Sequence, residues 1–418
     1  MAPARSASPA ASLLLRNARP IAFGPGLPDG QRIDVLIGAD GRVAAVGPGL
    51  PGAPGLPAVD LGGSWLSPGW ADLHTHVYWG ATDISVRVRE VGAATGVLTL
   101  VDAGSAGEAN FAGFREYVAE PARERVLSFL NIGSIGLVAC NRVSELIDAR
   151  SIDIDRTLAC IEANRDIIRG VKVRASGVIV GAWGVAPARI ASKVAKLAGL
   201  PLMVHVGEAP PLVEEVFELL RPGDIVTHCF HGKRGGNILE DPDLFDMARE
   251  LQARGVVLDI GHGVASFSYE VGADAIRRGL LPTTISTDLH QHNLHGPVWD
   301  LSLVMSKLLA LGMPLDAVVT GATRNVLRAV GEPHEALLEP GAPARFTVFD
   351  LVDAELSLPD SMRRDLRLSQ RLVPRLAILG DTVIEAASNH RRAGGEPDSH
   401  RRAGGEPDNH RPAGVDHG

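Results

Sequence analysis

Residues 71–80 read ADLHTHVYWG, and two histidines, His74 and His76, stand one residue apart where the apolar run SWLSPGWADL (64–73) stops. In a β-strand, side chains at i and i+2 point to the same side. If this stretch is a strand end, both imidazoles face one place. The remainder of the chain decides whether that is a polar terminus or a site.

Further apolar, β-branched runs recur downstream: VLTLVDAG (97–104), RVLSFLNIG (125–133), GVKVRAS (170–176), PLMVHVGE (201–208), DIVTHCF (224–230), GVVLDIGHG (255–263) and TTISTDLH (283–290). Helical patterns lie between several of them: ARIASKVAKLAGL, PLVEEVFELL, PDLFDMARELQARG and YEVGADAIRRGL. Near-continuous apolar strands alternating with helices indicate a parallel sheet covered on both faces. With the run ending at His76 there are eight strands in about 260 residues, which suits an α/β fold of the (β/α)8 TIM barrel type. A doubly wound open sheet is the competing fold, but no Gly-rich phosphate turn follows an early strand to favour it.

The flanks differ. Residues 12–66 and 331–386 read as short strands joined by Gly/Pro/Asp turns, each flank too small for a sheet sandwich of its own. The expected organisation is a small β-sandwich domain made from 12–66 and 331–386 around a barrel at 67–330. A ten-residue repeat (NHRRAGGEPD, SHRRAGGEPD, NHRPAGVDHG) occupies the C-terminus and carries His390, His400 and His410. It lacks large apolar residues, so 387–418 is expected to be a disordered tail.

The chain has 418 residues, 45% hydrophobic and 22% charged, and a net charge of −8. That charge argues against nucleic acid as partner. No apolar run approaches the roughly 18 residues of a membrane span, and the N-terminal leucines are interrupted by Arg16, too soon for a signal-peptide core. Three cysteines (Cys140, Cys160, Cys229) give no disulfide framework. A cytoplasmic protein acting on a small molecule is expected; a homo-oligomer is compatible with this composition.

In a barrel, reacting groups sit at the C-terminal strand ends. There the sequence places His74 and His76, then Lys172 and Arg174, His205 and Glu208, His228, and finally Asp288 and His290. Neutral imidazoles and a carboxylate suit zinc. As a set, GWADLHTHVYWG, VDAGSAG, GVKVRAS, VHVGE, VTHCF and STDLH resemble the binuclear members of the amidohydrolase superfamily, specifically its amidohydrolase/deacetylase branch, over roughly residues 12–386. The resemblance implies two divalent metals per chain, with zinc the expected metal. His74, His76 and Asp288 would bind one and His205 and His228 the other. Lys172, carboxylated by CO2, would bridge them, since two cations about 3.5–4 Å apart need a shared anion. It further implies a bridging hydroxide as nucleophile and Asp288 as the group that takes its proton and delivers it to the leaving atom.

Candidate substrate-binding residues are Tyr78, Arg174 and His262. Arg174 shares a strand face with Lys172, Tyr78 follows the histidine pair, and His262 lies between two glycines. His231, His292 and His295 fall on expected loops. The reading is a deacylase or deacetylase cleaving an amide or ester of a small carboxylate-bearing substrate. Three alternatives stand beside it. A mononuclear zinc deaminase would use the H-x-x-E of His205 and Glu208 but needs no strand-end lysine. A cyclic amidase such as dihydroorotase usually shows H-x-H-x-R, where this chain has Tyr78. The third is a non-catalytic scaffold on the same fold. Substrate choice lies in loops 78–90, 134–150, 177–188 and 263–270, whose shape the sequence does not reveal.

Overall fold

The computed structural model describes residues 11–24, 31–140, 142–146 and 148–390. Five strands precede the barrel: β1 (Ala11–Pro20), β2 (Ile33–Gly38), β3 (Val43–Gly47), β4 (Ala58–Asp60) and β5 (Trp65–Pro68). The run AVDLGGSWL, which reads as one strand, is two, because Gly62 and Gly63 turn the chain at φ of 62° and 89°.

The barrel strands are β6 (Trp70–Thr75), β7 (Val97–Gly107), β8 (Arg125–Asn131), β9 (Ile168–Ala175), β10 (Leu202–Val206), β11 (Ile225–Thr227) and β12 (Val257–Asp259). They pair in parallel in chain order from β6 to β12. The segment 283–289 joins the two edges, through bridges Asp259↔Thr284 and Thr75↔Leu289. Within it, Thr287 gives its backbone N–H, a ladder donor, to the carboxylate of Asp72. The Thr287 hydroxyl also goes to Asp72, and the Ser286 and Thr284 hydroxyls go to Asp259. The fold is a (β/α)8 barrel with a second sheet built from the two ends of the chain.

Alternation along the strands separates two cores. Ala71, Leu73, Val101, Phe129 and Met203 form one cluster, plugged by Val326 and Leu327. Trp70, Val171, Val173, Val204 and Leu258 belong to another, which includes the helix residues Ala191, Val194 and Phe245. Lys172, between Val171 and Val173, therefore points into the barrel beside Met203, at 3.5 Å from its sulfur.

The second sheet closes with β13 (Arg345–Pro359), β14 (Asp365–Leu379) and β15 (Thr382–Glu385), in the order β15–β14–β13–β5–β1–β2–β3, with β4 beside β1. Leu13, Leu15, Val35, Ile37, Leu66, Phe346 and Ile378 fill its core. The hairpin β13–β14 runs past this sheet, and its tip reaches the barrel, where Ser361 N–H donates to Phe267 O.

The described fold runs through 390, past the expected start of the tail at 387. Ser388 is buried, and its hydroxyl and the Asn389 N–H both donate to Asp300 Oδ2, at 2.6 and 2.7 Å. Asp300 Oδ1 meanwhile caps the helix Leu301–Ala310. Ser388 and Asn389 contribute hydrogen bonds that a count of apolar side chains does not register. The repeat from 391 onward, with His400 and His410, lies outside the described residues. Among the described residues, no single helix is long and apolar enough to cross a membrane.

Candidate metal centre

His74 and His76, at and just beyond the end of β6, are both buried, with ring centroids 5.4 Å apart. Their Nε2 atoms lie 3.3 and 3.1 Å from one oxygen, Asp288 Oδ1. The far side of each ring decides where its proton sits. His74 Nδ1 is 2.9 Å from Thr227 Oγ1, and that hydroxyl donates its single hydrogen to Asp259 Oδ2 at 2.7 Å. The hydroxyl can then only accept, so Nδ1 bears the proton and Nε2 a lone pair. His76 repeats the device. Its Nδ1 lies 2.9 Å from Ser105 Oγ, which is hydrogen-bonded to Asp102. His228 is the clearest case. Its Nδ1 faces Gly261 O at 2.6 Å, an acceptor only, so Nε2 carries a lone pair, and this atom is buried without a protein partner.

Burial drives the pKa of His74 and His205 well below the usual value and that of His228 to about 3, so these rings are neutral. With their protons on Nδ1, the neutral forms of His74 and His76 aim Nε2 lone pairs at one carboxylate oxygen. Such an arrangement is repulsive unless a cation sits there. The donor set fits a divalent metal of zinc type. His228 and Asp288 also hold left-handed backbone, at φ of 69° and 51°. Non-glycine residues persist there at a cost of about 1–3 kcal/mol, a strain that clusters at functional sites.

His205 completes the histidine set, its ring 4.4 Å from that of His228. Lys172 Nζ lies 3.3 Å from His74 Nε2. Burial lowers its pKa to about 7, against the pull of Asp288 and Asp259. All of these groups face one another, and His74, His76, Lys172, His205 and Asp288 line a cavity of about 700 Å³.

The expected substrate-binding residues separate. Arg174 lines the cavity, with Nε and Nη2 held by Glu145 at 2.7 and 2.5 Å and Nη1 at 3.4 Å from Cys140 Sγ. Tyr78 does not line it. Its hydroxyl donates to Asn110 O at 2.8 Å, and its ring packs edge-on against Phe114. His262 is buried and turned to Lys307, whose Nζ is 2.9 Å from Nε2. Glu208 sits at the rim, paired with Lys233 Nζ at 2.8 Å and hydrogen-bonded by Ser176. Burial would raise its pKa, but these two partners bring it down to about 2. His231, expected on a solvated loop, is buried and accepts the Lys233 N–H at 3.0 Å.

Several participants escaped the sequence reading: Thr227, Ser105, Asp102 and Asp259, which set the imidazole tautomers, and Glu145, which clamps Arg174. A signal existed for two. Asp102 and Asp259 are acids inside runs otherwise fit for full burial, and such an acid needs several donors.

A model of the amidohydrolase family matches residues 65–373. A deacetylase of Agrobacterium fabrum is 53% identical over 383 residues, covering 92% of this chain and 94% of that protein. Among solved structures, one titled a dihydroorotase is 53% identical with a TM-score of 0.87, covering 90% of this chain and 98% of that one. Another, titled an adenine deaminase, is 29% identical with a TM-score of 0.82, covering 90% of this chain and 99% of that one. The extent of these matches, together with the lone pairs gathered at the strand ends, makes this chain a metal-dependent hydrolase of the amidohydrolase family.

Proposed function

We propose that the protein is a deacetylase-type hydrolase that removes an acyl group, through an amide or ester bond, from a small carboxylate-bearing substrate. His74, His76 and Asp288 would hold one divalent ion and His205 and His228 a second, with zinc the best chemical match. Carboxylated Lys172 would lie between them. When bound, the ions would lower the pKa of water toward about 7 and polarise the acyl carbonyl.

The chain's own groups divide the remaining work. A Lys172 amine of lowered pKa adds to CO2, forming an N–C bond and releasing one proton. This replaces a cation, which could only repel the metals, with an anion. Asp288 Oδ1 faces two imidazoles, so Oδ2 is the oxygen left to take a proton from the attacking water and pass it to the leaving atom. Arg174 and Lys233 bring cations to the cavity wall, and Arg174 Nη1 is not engaged by Glu145, which suits a substrate carboxylate. The three free cysteines support a cytoplasmic location.

The observation that carries this reading is the Nε2 of His228, buried and without a hydrogen-bond partner among the described residues, and outside the first ligand trio. A single metal on His74, His76 and Asp288 leaves it unexplained. Two other titles among the relatives fit less well. A deaminase of the H-x-x-E type needs Glu208 as a proton carrier, and Glu208 is ionised and pinned to Lys233 and Ser176. The dihydroorotase label usually goes with H-x-H-x-R, whose arginine holds the substrate carboxylate; this chain has Tyr78 there, turned away to Asn110. The test is turnover of N-acyl and O-acyl carboxylic acids, dihydroorotate and adenine by zinc-loaded protein, with metal counted per chain. Acyl hydrolysis with two metals is expected. Deamination with a single metal, or ring opening of dihydroorotate alone, would overturn the proposal.

A further inference from the structure

We propose that Lys307 is a positioning residue for the metal centre: acting through His262, it fixes the Gly261–His262–Gly263 turn against His228 and Asp288. The inference rests on the metal-centre reading above and adds a residue to it.

Lys307, on the helix Leu301–Ala310, is fully buried. Its Nζ meets three acceptors and no carboxylate: Pro297 O at 2.6 Å, Pro359 O at 2.8 Å and His262 Nε2 at 2.9 Å. The proton count follows from the other side of the ring. His262 Nδ1 lies 3.0 Å from Gly263 O, which can only accept, so Nδ1 holds the proton of the neutral imidazole. Nε2 must then accept from Lys307, and the two carbonyls accept as well. All three ammonium hydrogens are used, and His262 is locked in one tautomer and one orientation. It has no donor or acceptor left to turn toward a substrate.

The turn it anchors is tightly placed. Gly261 and Gly263 have φ of 48° and 54°, a region that favours glycine. A β-carbon on Gly261 would lie 2.6 Å from His228 Nδ1, and one on Gly263 would lie 2.5 Å from Asp288 Oδ2. Backbone therefore abuts a ligand of each proposed metal. Gly261 O is also the acceptor that sets the His228 tautomer, at 2.6 Å. Backbone N–H groups tie one side of this turn to the eighth barrel segment, Gly261 to Ser286 Oγ, His262 to Ser286 O and Gly263 to Thr287 O. Between two glycines, His262 carries the side chain that anchors the other side, and Ser361, at the tip of the β13–β14 hairpin, adds a hold, with its hydroxyl 3.0 Å from His262 O and 2.9 Å from Gly263 O. The hairpin of the terminal sheet and a barrel helix thus set the aim of two metal ligands.

Lys307→Met keeps the length of the stem and removes the three donors. Two readouts separate positioning from general packing. In metal-free protein, nitrogen NMR of the imidazoles should show His228 losing its single Nδ1–H form for a mixture. In loaded protein, metal affinity should fall by about 10–100-fold, as for other outer partners of metal ligands, and kcat should fall with KM little changed. A folded variant with an unchanged His228 tautomer and unchanged metal affinity would overturn the inference. If Lys307→Met does not fold, Ser361→Ala, which leaves the ammonium in place, should move both readouts in the same direction; no movement there would overturn it equally. Because the tautomer is read without metal or substrate, it judges Lys307 even if the acyl-carboxylate reading fails.

Discussion

Lys172 and Lys307 are both fully buried in the barrel, and burial lowers the pKa of each to about 7, yet their surroundings are opposite in kind. Lys307 has an acceptor for every ammonium hydrogen. Lys172 has His74 Nε2 at 3.3 Å and a thioether sulfur at 3.5 Å, a weak acceptor. A buried cation with full hydrogen bonding is a finished structural element; a buried cation without it is a group awaiting chemistry. On this view Lys307 stays a lysine and Lys172 becomes a carbamate. Substitutions at the two positions should therefore diverge.

The largest effect is expected at Lys172. Lys172→Ala should lose most bound metal and drop in turnover by more than the roughly 10–100-fold typical of outer partners. A short carboxylic acid supplied in the medium should restore part of both, because a carboxylate offers the same two oxygens. Metal analysis and turnover with and without the added acid check this. A mutant that keeps full metal and activity unaided contradicts it.

Next come the two acids. Asp288→Asn keeps the shape of the side chain and one acceptor but loses the base, and turnover should fall by about 10²–10⁴-fold with some metal retained. Glu208→Gln should do far less, since its carboxylate is occupied by Lys233 and Ser176. Steady-state kinetics of the pair decide; equal damage from both substitutions would move the proton-carrying role to Glu208.

A smaller effect separates the lysines by stability. In metal-free protein, Lys307→Met leaves Pro297 O, Pro359 O and His262 Nε2 without donors, and should destabilise by about 1–3 kcal/mol or more. Lys172→Met removes a poorly partnered cation and should leave stability equal or higher. Denaturant midpoints of the two variants measure the difference, and equal losses would erase the contrast.

The smallest effect concerns the C-terminus. Removing 391–418 should leave the melting temperature unchanged, whereas truncation after Ala387 removes two hydrogen bonds to Asp300, at about 0.5–1.5 kcal/mol each. Thermal melts of the two truncations suffice.

What the sequence made legible follows from periodicity. His74, His76, Lys172, His205, His228 and Asp288 each end a strongly apolar run, so strand alternation alone brings them to one end of a barrel. The misplaced residues share a different cause. Tyr78 and His262 lie just past strand ends, where backbone direction no longer follows a period of two. One turns to Asn110 and the other to Lys307, partners 32 and 45 residues away. The docking of Ser388 on Asp300 spans 88 residues and involves no apolar side chain, so no pattern announces it. The strand character of TTISTDLH announces the eighth barrel segment, but the diversion of the Thr287 N–H to Asp72, 215 residues away, has no local pattern.

Carbon NMR of zinc-loaded protein equilibrated with ¹³C-bicarbonate reads the carbamate on Lys172 itself. One protein-bound carbamate resonance, with two metals per chain and absent from Lys172→Ala, is the predicted result. Two metals per chain with no labelled resonance would show that Lys172 bridges nothing as a carbamate.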